Sequence, residues 1–165
     1  MSATTPDTLY DAIQAQIPNY PTRRGAMLPA LHLTQEAYGW LSPAALIACS
    51  DAIGFSPAYC QAVASFYDMF FLAPVGAHTI DVCTNLACGL RGAGEVVEAF
   101  EQELGVRIGE TTEDGAITLR KAECLGGCSW APVVAVDERY RERVSPADVP
   151  QIVADARAKT GARHA

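Results

Sequence analysis

No apolar run in this chain approaches the roughly 20 residues that a membrane-spanning helix needs, although half of its 165 residues are hydrophobic. The first residues, MSATTPDTLYDAI, have neither a charged-then-apolar leader nor an Arg-rich transit pattern, so the expectation is a soluble, cytoplasmic chain. Positive charge is scarce: 12 Lys and Arg stand against 19 Asp and Glu, for a net charge of −7. Without a basic patch to displace counterions, a nucleic-acid partner is excluded. Arg139, Arg141 and Arg143 alternate with other residues, as a solvated or interface face of a strand does. There are three histidines, His32, His78 and His164, and no two have ligand spacing, which excludes a Rieske-type centre. C-x-x-C is absent, and with it a thioredoxin-type dithiol. The one Gly-rich turn, Gly89-x-x-Gly92-x-Gly94, reverses the spacing of a dinucleotide fingerprint. Glu101, Glu103, Glu110, Glu113 and Glu123 are scattered, so no paired-carboxylate site stands out.

What the sequence does have is six cysteines, four of them in two pairs. Cys83 and Cys88 lie in VCTNLACGLRG and are separated by four residues; Cys124 and Cys128 lie in AECLGGCSWAP and are separated by three. Each pair begins where an apolar, strand-like run (HTIDVC, AITLRKAEC) enters a loop. Loops of that kind can wrap their thiolates around one point. Gly89, Gly92 and Gly94 follow the first pair, and Gly126 and Gly127 lie inside the second, so backbone N–H groups can approach sulfur closely. Four thiolates are what a 2Fe-2S cluster requires, two for each iron. A four-cysteine zinc staple is the alternative of a different class, although zinc sites usually carry C-x2-C knuckles. A disulfide framework requires an oxidising compartment, for which the sequence has no leader. Cys49 and Cys60 sit in apolar, helix-like segments without partners at ligand spacing and read as core residues.

In chain order, Thr5-Pro6-Asp7 reads as a helix start, with Thr5 as N-cap and the helix running to about Ile17 before Pro18 and Pro21 end it. A second helix is expected over 22–38, with Pro29 as a possible kink. Ser42-Pro43 and Ser56-Pro57 begin two more, the first ended by Gly54. Tyr67, Phe66, Phe70 and Phe71 form an aromatic run suited to packing between this helical region and the β-rich remainder of the chain, or to a partner. After Pro74-Val75-Gly76 the pattern changes to a strand over 77–83, a helix from Gly92 to Leu104 ended by Gly105, a turn at Asp114-Gly115 and a second cysteine-bearing strand. PVVAV and YRERV flank Asp137-Glu138 as a β-hairpin, and Ser145-Pro146 opens a last helix with Asp148 at N3. Strand–helix–strand, hairpin, helix is the order of a thioredoxin-like domain. The tail from Ala158 is expected to fray.

VCTNLACGLRG, GETTEDGAITLRKAECLGGCSWAPVVAVDERY and ASFYDMF together resemble the thioredoxin-like 2Fe-2S subunit of bacterial NADH:quinone oxidoreductase, from about Tyr20 to about Ala156. The resemblance implies an α+β chain: a helical bundle over 1–72, a thioredoxin-like α/β 2Fe-2S ferredoxin domain over 73–158, and a tail over 159–165. It implies one 2Fe-2S cluster on Cys83, Cys88, Cys124 and Cys128, and electron transfer without a substrate site of its own. FMN and NADH are then bound by a flavoprotein partner, with further iron–sulfur subunits nearby. The chain would be peripheral on the inner face of the cell membrane, held there by the complex. Equivalent subunits of NAD-linked formate dehydrogenases and hydrogenases look very similar. One departure is Ser129-Trp130-Ala131, where the family more often has small polar residues; Trp130 bears on solvent access or partner packing. Thioredoxin-like folds carry a cis-proline before the strand that VVAV matches, so the Ala131–Pro132 bond is expected to be cis.

Overall fold

The computed structural model describes residues 6–158, and between Pro74 and Val75 the chain divides into two compact units. The first is helical: α1 (Pro6–Gln16), α2 (Met27–Tyr38), α3 (Pro43–Ile53) and α4 (Pro57–Ala64). The serine–proline starts work as the sequence predicts. Ser42 Oγ accepts from the Ala45 N–H at 3.1 Å and Ser56 Oγ from the Tyr59 N–H at 3.2 Å, with a proline at the first helical position of each. The expected Thr5 cap lies outside the described residues.

The second helix begins later than expected. Residues Arg23–Ala26 form a 3-10 turn, and α2 starts at Met27. Pro29 therefore occupies the first turn of α2, where backbone N–H groups have no intrahelical partner, and a missing N–H leaves no bond unmade. Helices this short are marginal alone and stand by burying their faces together. Leu9, Ile13, Leu31, Ile53, Cys49 and Cys60 form the middle of that core. Phe70 belongs to the same core and Tyr67 packs against it, whereas Phe66 is 81% exposed. Buried Gln35 pins the segment around them: its Nε2 donates to the Met69 carbonyl at 2.9 Å and its Oε1 accepts from the Phe71 N–H at 2.7 Å.

The second unit is a four-stranded mixed sheet ordered β2-β1-β3-β4, with β1 His78–Cys83, β2 Ile117–Ala122, β3 Val134–Val136 and β4 Arg139–Arg141. Helices α5 (Leu86–Leu90) and α6 (Ala93–Leu104) follow β1, and α7 (Val149–Ala158) closes the described chain. Phe100 of α6 and Ile152 of α7 share one core with Ile80, Val82, Ile117 and Leu119 of the strands. β1 is central and buried along most of its length, with Ile80 and Val82 in the core and the polar His78 and Thr79 buried beside them. Asp137 and Glu138 make a two-residue hairpin loop between β3 and β4, both at positive φ (50° and 65°), the twist such short loops require. Asp137 is held there by its own side chain, whose Oδ2 lies 2.9 Å from His78 Nδ1 and whose Oδ1 accepts from the Thr79 N–H. Ser145 and Asp148 form the reciprocal cap expected of them, over a 3-10 turn that precedes α7. The Ala131–Pro132 peptide is cis, as expected. The tail expected to fray lies outside the described residues.

Candidate metal centre

The strand directions deliver the cysteines to one end of the sheet. β1 and β2 are parallel and in register from His78↔Ile117 to Cys83↔Ala122, so they finish at the same edge. β3 runs antiparallel to β1, with Val82 opposite Val134, and therefore begins at that edge. Cys83 is the last residue of β1, Cys124 lies two residues past β2, and Cys128 opens the short turn Cys128–Trp130 that leads to β3. The apolar pattern predicts a second strand reaching Cys124. The strand stops at Ala122 because the chain must leave the ladder to turn over the site. The first pair is likewise not spaced by a plain loop. Cys88 sits on α5, whose start is capped by the Asn85 side chain accepting from the Leu86 N–H at 2.7 Å.

The four thiols differ in surroundings. Cys83 and Cys88 are 3% and 2% exposed and share a small apolar cluster with Ala93, Ala131 and Val133. Cys124 and Cys128 are exposed. Burial pushes the Cys83 thiol up, but N–H groups of Asn85 and Leu125 pointed at its sulfur, with Cys88 and Cys124 beside it, more than offset this and leave it below the ordinary thiol range. Cys88 is raised by burial; the Val133 N–H works against that, while the charge of Cys83 and of Cys128 adds to it. Gly126 N–H donates to Cys124 Sγ at 3.4 Å. Cys83 thus adjoins Cys88 and Cys124, and Cys128 lies within electrostatic reach of Cys88. Among the described residues, no three His, Cys, Asp or Glu side chains gather around one point as the ligands of a single ion do. The thiols form a run of neighbours, a donor set of sulfur alone, crossed by backbone N–H groups.

That donor set fits an iron–sulfur core. Sulfur is the ligand such cores take, and N–H groups directed at the sulfurs stabilise their negative charge. Two glycines let the second loop adopt its path. Gly126 has φ +77°, and a Cβ on Gly127 would lie 2.9 Å from Val133 Cγ2. Gly127→Ala should accordingly push Val133 off its position and destabilise the chain by about 1–3 kcal/mol. Urea denaturation measures this, and an unchanged midpoint would show that the loop yields freely.

Cys83, Cys88, Cys124 and Cys128 all lie at this end of the sheet, without any three gathering at one point among the described residues, and Cys49 and Cys60 are buried in the helical unit. Sequence reading missed the donors of Asn85, Leu125 and Val133. An Asn immediately before a short apolar stretch was a usable cap signal for the first; backbone donors carry no side-chain signature. Trp130 is 45% exposed, and Leu86 and Leu90, either side of Cys88 on α5, are 74% and 79% exposed. No described helix is long and apolar enough to cross a membrane.

Residues 13–157 match the family model described as thioredoxin-like [2Fe-2S] ferredoxin. Over 144 residues the chain is 40% identical to the E subunit of NADH-quinone oxidoreductase from Mycobacterium bovis, covering 87% of this chain and 57% of that protein. It is 35% identical to the E 2 subunit of NADH-quinone oxidoreductase from Rhizobium meliloti, over 92% of this chain and 90% of that one. It is also 34% identical to the NADP-reducing hydrogenase subunit HndA of Solidesulfovibrio fructosivorans, over 93% of this chain and 90% of its relative. The chain therefore spans little more than half of its mycobacterial relative and nearly all of the other two.

Proposed function

The chain belongs to the thioredoxin-like [2Fe-2S] ferredoxin family, and from that premise we propose that Cys83, Cys88, Cys124 and Cys128 hold its one 2Fe-2S cluster and that it serves as an electron-transfer subunit of the NADH-oxidising module of an NADH:quinone oxidoreductase. The observation that supports this reading is the placement of four cysteines at one end of the sheet, two buried and two exposed, in a donor set of sulfur alone. The cluster supplies one-electron chemistry when bound. The chain's own residues do the rest. The buried side, around Cys83 and Cys88, excludes water and disfavours added negative charge. The N–H groups of Asn85, Leu125, Val133 and Gly126 favour that charge. The exposed side, around Cys124 and Cys128, is where an electron enters or leaves with the least protein in between.

The partner is a flavoprotein subunit that binds FMN and NADH, with further iron–sulfur subunits beyond it. Names carried by the relatives support this host, the higher identity lying with the quinone oxidoreductase subunits; equivalence to a hydrogenase subunit is the second reading, supported by the similarity to HndA. In this assignment residues 1–72 are the docking arm and 73–158 the cluster-bearing part. Phe66, standing almost free of its own core, is the arm's apolar contact. The chain is peripheral, on the inner face of the cell membrane, through its complex. Tagged chain expressed with its gene neighbours should bring down a flavin-bearing subunit. Phe66→Glu should weaken that capture while leaving the cluster's visible spectrum intact. Recovery of the loaded chain with no flavin-bearing partner would contradict the assignment.

A further inference from the structure

The second cysteine loop is held from outside by β4. Tyr140, in the middle of that strand and opposite Ala135 of β3, donates its hydroxyl to the carbonyl oxygen of Leu125 at 2.5 Å. That carbonyl belongs to the peptide joining Leu125 to Gly126, and the N–H of the same peptide donates to Cys124 Sγ at 3.4 Å. A peptide unit is planar, so fixing its C=O fixes the direction of its N–H. On the far side of that peptide, Gly126 has φ +77° and no heavy atom within 4 Å of where a Cβ would be, so no side-chain contact at Gly126 helps to hold the plane. A donor on the carbonyl also polarises the amide and makes its N–H the stronger donor. Tyr140 is 50% exposed and belongs to none of the apolar cores, so packing gives no reason for its placement.

We propose that Tyr140 is a positioning residue for the cluster: through the Leu125–Gly126 peptide its hydroxyl sets the N–H···S bond to Cys124 and raises the reduction potential. The inference rests on Cys124 being a cluster ligand. N–H donation to a ligand sulfur stabilises the more negative, reduced state, so losing or misaiming it favours the oxidised one.

The test uses the full, cluster-loaded chain with Tyr140→Phe, which keeps the ring and removes the hydroxyl. In a potentiometric titration followed by EPR, the reduced-to-oxidised ratio at the wild-type midpoint should fall about threefold, about 30 mV at 59 mV per tenfold for a one-electron couple. The coupling of the exchangeable Gly126 proton to the reduced centre should weaken with it. A ring-fluorinated tyrosine at position 140, studied where its phenol stays protonated, is a stronger donor and should move the midpoint the other way. This second variant decides the matter if Tyr140→Phe fails to load. A midpoint and proton coupling unchanged in the loaded variants overturns the inference and leaves the ligand assignment standing. Wild-type chain devoid of iron and sulfide overturns the assignment itself, and the inference with it.

Discussion

Alanine in place of any one of Cys83, Cys88, Cys124 or Cys128 should yield chain that has lost the 2Fe-2S chromophore, while Cys49→Ala and Cys60→Ala keep it in full. Each of the four supplies a thiolate that no neighbour can replace: among the described residues the remaining cysteines lie in the other unit, and no histidine lies beside the site. Cys49 and Cys60 are both fully buried and hydrogen-bonded to each other. The Cys49 thiol is held below its ordinary range by the hydrogen bond with Cys60, which outweighs its burial, with help from Thr34. The Cys60 thiol is pushed well above that range by the same bond, by burial and by the charge of Cys49. Such a pair is a polar contact within an apolar core, and removing one member costs about 1 kcal/mol of stability. Visible absorption of anaerobically purified variants reads the first outcome and urea denaturation the second. Loss of the chromophore in a folded Cys60→Ala chain would move a ligand into the helical unit and break the assignment.

Excess NADH should leave the isolated, loaded chain oxidised for many minutes, whereas dithionite bleaches it at once. NADH gives up two electrons together as hydride, and a 2Fe-2S centre takes one; a flavin bridges that difference because it accepts hydride and releases electrons singly. The turn after β1, where a dinucleotide fingerprint would lie, is filled by Cys88 on α5, and Gly92 at φ +90° serves as the N-terminal cap of α6. Adding the flavoprotein subunit should restore reduction by NADH. Rapid bleaching of flavin-free chain by NADH alone would reveal a nucleotide site in this chain and end the proposed division of labour.

Much of the site was legible because its chemistry and its local structure coincide in short stretches. Cys83 closes a strand in which it follows the buried apolar Ile80 and Val82, and Gly126 and Gly127 stand where the loop must turn tightly. Serine–proline starts and the Asp137-Glu138 loop were equally readable, since caps and tight turns depend on residues within a few positions of one another. The start of α2 was misread because Pro29 is compatible both with a kinked interior and with a first turn. Helix α5 was missed for a different reason: five residues are too few for a periodic pattern to show. Two contacts lie beyond any local reading. His78 meets Asp137 and Tyr140 meets Leu125 only after the sheet has brought β1, β3 and β4 side by side.

Iron, acid-labile sulfide and zinc content of the anaerobically purified full-length chain tests the central claim most directly. Two irons and two sulfides per chain without zinc, lost together in Cys124→Ala, is the predicted result. One zinc per chain and no sulfide would contradict it, and would make the four cysteines a structural staple in place of an electron carrier.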